Sequence, residues 1–271
     1  MRKVALCFAP HPDDIEIGCS FYYIYLLEQG YHVIQVSMTD GAFGIPIKEF
    51  KGKRLVRIRE RELNKANKIF EKNTKTSIKI IRLGYTDGYL PLNFKIINRI
   101  SNLIEEFNPS IILAPDPWYS QDYHPDHINT GRLVIFALKK LSSPQKKPIP
   151  LIFYYSFAKN QFIDVRKDWL KVTSAALSQY QSQLSPFHTK LVVAILSVFV
   201  LGKNYIRFRR FMAGYRTQLY NSSNNLIFPP NFSSDRFIHK IKYHMYHFPT
   251  LKAYEKLHTL KPSDLNIKIT E

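Results

Sequence analysis

Apolar positions in the first 157 residues follow two alternating patterns. Short apolar-rich runs stand at 4–9, 32–38, 78–83, 111–114 and 151–157, the first and fourth unbroken. Such runs suit strands buried on both faces. Between them, apolar residues recur every three or four positions. This predicts helices over 15–29, which stops before Gly30, and over 54–70, with Leu55, Ile58, Leu63, Ala66 and Ile69 on one face. Two more are predicted over 94–107 and 127–141. Strand and helix alternating at this spacing predict an α/β fold, a mostly parallel sheet flanked by helices. Right-handed crossovers then bring the strand C-termini to one edge, where ligands of open α/β sheets bind. The loops after Ala9, Met38, Leu83 and Ala114 should therefore converge.

Past residue 157 the pattern weakens. Residues 142–150 read as a surface connection, 170–184 and 191–205 as helices, and 221–235 as a loop rich in Asn, Ser and Pro. The stretch 191–201 is apolar and uncharged, but eleven residues cannot cross a bilayer, which takes about 20. It reads as a core helix with a charged flank at Lys203, Arg207, Arg209 and Arg210. The alternative is a helix docked on an anionic membrane surface.

Composition adds charge to this picture. Lys and Arg total 39 against 21 acids, a net +18 over 271 residues. Such a surface attracts anions: nucleic acid, acidic headgroups, phosphorylated or uronic sugars. The lysines are scattered rather than massed, and no nucleic-acid motif accompanies them, so a nucleic-acid partner ranks last. Apolar residues make up 45% of the chain, enough for one sizeable core and one domain. Cys7 and Cys19 form no disulfide framework, and the N-terminal apolar run is too short for a signal peptide. A cytoplasmic setting is expected, with peripheral membrane contact as an addition.

The loops at the expected sheet edge carry the chemistry. After the first strand comes Pro10-His11-Pro12-Asp13-Asp14-Ile15-Glu16; after the fourth, Asp116-Pro117-Trp118 and then His124-Pro125-Asp126-His127. Thr39-Asp40-Gly41 and Gly84-Tyr85-Thr86-Asp87-Gly88 follow the second and third. Each piece alone has a plain reading, such as a helix N-cap or a surface histidine. Imidazoles and carboxylates gathered at one edge are costly to bury unless they bind a metal or catalyse a reaction. Zinc suits that donor mixture, with three protein ligands and one open position. An all-oxygen calcium or magnesium site would not use imidazole.

These segments resemble the LmbE-like, or PIG-L, family of N-acetylglucosaminyl deacetylases. The resemblance runs through residues 9–19, Thr39-Asp40-Gly41, Arg59, Glu62 and Ala66, Leu83–Gly88, Asn108-Pro109, Ala114–Pro117 and His124–His127, so it covers roughly 4–140. It implies a Rossmann-like fold in a single domain, with 1–157 as the catalytic core and 158–271 as a divergent part that shapes the substrate pocket. It implies His11, Asp14 and His127 as ligands of zinc, or of another divalent transition metal such as iron or manganese. Asp13 would be the general base, and protonated His124 the stabiliser of the oxyanion, oriented by Asp126. Arg59 and Asp87 would contact sugar hydroxyls. The chain departs from the family where some members carry a Tyr two residues before the first His of the second element. That position is Asp122 here, with Tyr123 next to it. Tyr180-Gln181-Ser182-Gln183 stands where a His-x-Ser-Gln pattern is common.

The implied activity is metal-dependent removal of acetyl from an N-acetylated amino sugar. The substrate would be a small molecule, or a sugar linked to lipid or nucleotide. The alternatives are an amidase of the same family acting on a larger acyl or thiol conjugate, and a sugar-binding pseudoenzyme. Both His-Pro-Asp elements are whole, which speaks against the pseudoenzyme.

Overall fold

The computed structural model describes residues 3–44, 51–118, 120–122, 124–141, 148–202, 205–206 and 210–220. Tyr123, the predicted loop at 221–235 and most of the connection at 142–150 lie outside the described residues, as does the C-terminal part from 221 onward.

Five strands form the parallel part of the sheet: β1 (Val4–Ala9), β2 (His32–Thr39), β3 (Ile78–Tyr85), β4 (Ile111–Pro115) and β5 (Ile149–Tyr154). Two further strands follow, β6 (Gln161–Asp164) and β7 (Met212–Tyr220). The order is β3-β2-β1-β4-β5-β7-β6. β1 pairs with β2 and β4, β2 with β3, and β4 with β5, all in parallel. β7 runs antiparallel to both β5 and β6. Strand order reverses between β1 and β4, so the switch point of this doubly wound sheet lies where their loops leave the carboxyl edge.

The helices are α1 (Asp14–Gly18), α2 (Ser20–Glu28), α3 (Lys53–Thr74), α4 (Phe94–Phe107), α5 (Pro125–Leu141), α6 (Lys167–Leu177) and α7 (Pro186–Ile195). Side chains of a strand alternate between faces. Accordingly Ala5, Cys7 and Ala9 of β1 join one core with α2, α3 and α6, while Leu6 and Phe8 join the other with α4 and α5. α2 is apolar nearly all round, and seven of its nine residues are buried. α4 is held at both ends. Asn93 accepts from the Ile96 amide at 3.0 Å, and Asn108 closes the helix in the left-handed region at φ 40°. Cys7 and Cys19 are both free and buried.

Four expectations need correction. The single helix over 15–29 is two helices, broken at Cys19, whose φ of −147° is not helical. The strand expected to reach 157 ends at Tyr154, because Tyr155 turns left-handed at φ 55°. The helix expected over 170–184 is α6, which ends at Leu177; the chain then turns, and Tyr180 is buried. The apolar stretch at 191–201 is not a core helix. It is the end of α7 followed by a π-helical turn, Leu196–Gly202, with Phe187, Leu191, Ile195 and Val198 all exposed. Their spacing puts them on one helical stripe. No helix of the described residues is long and apolar enough to cross a membrane.

Candidate metal centre and active site

The four loops do converge. The Pro10 carbonyl, just past β1, accepts from the Thr39 amide at 3.0 Å and from its hydroxyl at 2.8 Å. The Asp40 amide donates to the Tyr85 carbonyl at 2.8 Å, which joins the exits of β2 and β3. α5 comes close to the end of β4 because residue 131 is glycine. A Cβ there would stand 2.4 Å from the Pro115 carbonyl oxygen. Pro125 occupies the first helical position of α5, where its missing N–H costs nothing. The turn before it places His124, and the first turn of α5 places His127, at the carboxyl edge.

Two imidazole nitrogens and one carboxylate meet there. His11 Nδ1 lies 3.1 Å from Asp14 Oδ2 and 3.1 Å from His127 Nε2. His127 Nε2 lies 3.2 Å from Asp14 Oδ1. Ligand atoms around a tetrahedral zinc with bonds of about 2.0 Å sit about 3.3 Å apart. Two ring nitrogens at this distance, facing one carboxylate, could share a cation. The far nitrogens also face carboxylates, with a hydrogen bond at His11 only. His11 Nε2 is 3.1 Å from Asp87 Oδ1 and 3.2 Å from Asp126 Oδ2, and His127 Nδ1 is 3.4 Å from Asp122 Oδ2. A carboxylate behind an imidazole holds the proton on the far nitrogen and leaves the near one as a lone pair, as behind metal-binding histidines. The donor set and its backing therefore fit a divalent transition metal.

Titration follows the same geometry. Burial disfavours a charged His11, but its bonds to Asp126, Asp14 and Asp87 outweigh this and raise it well above the usual histidine range. His127 is raised too, because Asp14 and Asp122 overcome its burial. Burial alone would raise Asp14 and Asp87. The neighbouring histidines hold Asp14 well below the usual carboxylate range, and His11 and Arg59 do the same for Asp87. The pocket is thus built to favour positive charge at its centre.

The second half of the expected site also assembles, with different partners. The His124 ring lies edge-on to His11, centroids 4.6 Å apart. Its Nδ1 accepts from the Asp126 amide at 3.2 Å, so the ring proton sits on Nε2. Burial, then the charges of His11 and His127, push His124 down to about 3. The Asp126 carboxylate is bonded to His11, and also accepts from the amides of Gly88 at 2.7 Å and Leu90 at 2.9 Å. Asp126 thus touches His124 through its backbone. Asp13 Oδ1 accepts from Arg59 Nη2 at 2.7 Å, and Arg59 Nη1 is 3.9 Å from Asp87. Both expected sugar contacts, Arg59 and Asp87, are buried and already engaged with the site's own carboxylate and imidazole. Asp116 is gripped from β7 by Arg216, Nε to Oδ2 at 2.6 Å and Nη2 to Oδ1 at 3.0 Å.

The C-terminal half supports the site at three points that sequence reasoning missed. The Tyr180 hydroxyl lies 2.8 Å from the Pro12 carbonyl and 2.9 Å from Glu16 Oε1. A hydroxyl has one proton to give. Tyr180 therefore divides its one proton between these two acceptors, and burial pushes Glu16 up to about 8. Ser182 donates to Glu62 through its amide at 2.8 Å and its hydroxyl at 2.6 Å. The Tyr155 hydroxyl donates to Asp14 Oδ1 at 3.1 Å. The only sequence signal for the first two was the departure at 180–183. Tyr155 was hidden inside a predicted strand.

Comparison with known proteins places this geometry among relatives. The sequence model of the PIG-L family, described as GlcNAc-PI de-N-acetylase, matches residues 6–138, the span that holds every expected site residue. A diacetylchitobiose deacetylase of Thermococcus kodakarensis is 31% identical over 193 residues, 67% of this chain and 70% of that one. A probable N-acetyl-alpha-D-glucosaminyl L-malate deacetylase 2 of Bacillus anthracis is 28% identical over 70% of this chain and 84% of its own. The solved N,N'-diacetylchitobiose deacetylase of Pyrococcus horikoshii superposes with a TM-score of 0.71 at 26% identity. It covers 80% of this chain and 84% of that one. The two His-Pro-Asp loops, the doubly wound sheet that joins them and these relatives lead to one assignment: the chain belongs to the PIG-L family of deacetylases.

Proposed function

We propose that this protein hydrolyses the acetamide of an N-acetylated amino sugar, of the N-acetylglucosamine type, to the free amine and acetate. A divalent metal, zinc by preference, would be held by His11, Asp14 and His127. The observation that carries this reading is the meeting of His11 Nδ1 and His127 Nε2, 3.1 Å apart, with the two oxygens of Asp14 at 3.1 and 3.2 Å from them and a carboxylate on the far side of each imidazole. The relatives named as deacetylases of diacetylchitobiose and of an N-acetylglucosaminyl malate supply the substrate class.

A bound metal of this kind supplies Lewis acidity, acidifying a water and polarising a carbonyl. The rest falls to the chain. Arg59 holds one oxygen of Asp13, which leaves the other to take the proton of the attacking water and pass it to the departing amine. His124, neutral with its proton on Nε2, donates to the carbonyl oxygen as negative charge builds there. A donor of that type is worth about 3–4 kcal/mol. Asp126 serves two members at once: its carboxylate fixes His11 and its amide fixes His124. Sugar contact by Arg59 would use Nη1, whose nearest acceptor, the Gly41 carbonyl, is at 3.4 Å.

The test is product analysis across a panel of N-acetylhexosamine conjugates and longer-chain N-acyl analogues. The reading predicts acetate and free amine from the acetyl compounds, with rates that fall as the acyl chain lengthens. Preference for long acyl or thiol conjugates would make the protein an amidase. Binding of sugar without any turnover would make it a pseudoenzyme.

A further inference from the structure

Tyr155 is where the C-terminal half reaches the metal ligands, and we propose that it is a positioning residue for the divalent ion. The inference rests on the reading that His11, Asp14 and His127 hold that ion. Three observations meet at this side chain. Its hydroxyl donates to Asp14 Oδ1 at 3.1 Å, the same oxygen that lies 3.2 Å from His127 Nε2. Its ring is stacked on the His127 imidazole, 6° from parallel with centroids 5.3 Å apart. Its backbone sits at φ 55°, a region that bulky residues seldom occupy unless their surroundings enforce it.

Those surroundings include an empty position in the first metal loop. Gly18 ends α1, and a Cβ there would stand 2.8 and 2.9 Å from atoms of the Tyr155 ring and 2.5 Å from the Tyr154 ring. Glycine at 18 therefore makes the room in which Tyr155 lies. One side chain thus fixes two ligands that come from loops more than a hundred residues apart. The hydrogen bond sets the rotation of the Asp14 carboxylate, and the ring sets the plane of His127. A tyrosine needed only for packing would require neither a ligand oxygen as its acceptor nor a ligand ring as its face.

Partners of this kind commonly change metal affinity or activity by about 10–100-fold when removed. Tyr155→Phe keeps the ring and removes only the donor, whereas Tyr155→Leu removes the stacking as well. Zinc affinity of the full chain, measured without substrate by competition with a chromogenic chelator, should fall about 10-fold in Tyr155→Phe and further in Tyr155→Leu. Thermal unfolding of the metal-free Tyr155→Phe protein should match wild type, and excess zinc should restore its turnover. Wild-type zinc affinity in Tyr155→Phe would overturn the proposal. So would a loss of affinity that merely follows a loss of metal-free stability. Failure of the wild-type chain to bind zinc would overturn the ligand assignment itself, and this proposal with it. Zinc binding without any deacetylation would overturn only the substrate reading.

Discussion

Asp13 and Asp14 are neighbours in sequence with different proposed roles, and their partners separate them. Asp14 shares both oxygens with the two ligand imidazoles, whereas Asp13 is held by the guanidinium of Arg59. Asp13→Asn keeps the shape and loses the base. Zinc affinity and sugar binding should persist while kcat falls by about 100- to 10,000-fold, the usual range for a general base. Acetate release and zinc competition on the same preparation check both halves. Retained turnover would move the base elsewhere. The residue types and spacing of the two His-Pro-Asp loops were readable from the chain, because short loops carry their chemistry in order. Who bonds to whom was not. That Asp126 serves His11 by its carboxylate and His124 by its amide depends on the amides of Gly88 and Leu90, which come from another loop.

At the level of elements, the approach of α5 to β4 sets the distance between the two halves of the site. Gly131 allows it, since any Cβ would meet the Pro115 carbonyl oxygen. Two effects oppose each other in Gly131→Ala. Alanine favours a helix over glycine by about 1 kcal/mol. Overpacking against a fixed backbone costs about 1–3 kcal/mol. The clash is with backbone that cannot rotate away, so the substitution should lower stability and displace His124 and His127 together. Denaturant unfolding and zinc affinity should both fall. A stabilised variant with unchanged zinc affinity would show that the helix has room to shift. Periodicity revealed the parallel strands and the helices between them, because each buries a continuous face. It did not reveal β6 and β7. These strands join the sheet by antiparallel pairing and carry polar residues such as Gln161, Arg216 and Gln218 among the apolar ones. It also misjudged α7. An apolar stretch implies burial only if something covers it, and among the described residues its stripe is exposed.

The whole molecule divides its labour between chain halves. The proposed ligands and acid–base groups lie in the matched span, and the later part bonds to Asp14 through Tyr155 and to their neighbours Pro12, Glu62 and Asp116 through Tyr180, Ser182 and Arg216. This explains why the resemblance was strongest in the first half. Ligand loops constrain residue identity closely, whereas a brace needs only a donor at the right place. The central claim is that the charge pattern of the edge loops serves one catalytic cation. Acetate release by chelator-stripped protein, titrated with zinc on an N-acetylglucosamine conjugate, tests it most directly. Turnover should be absent at the start and rise in proportion to added zinc, with a break at one ion per chain. Full turnover in the stripped protein, or none at any zinc ratio, would contradict it.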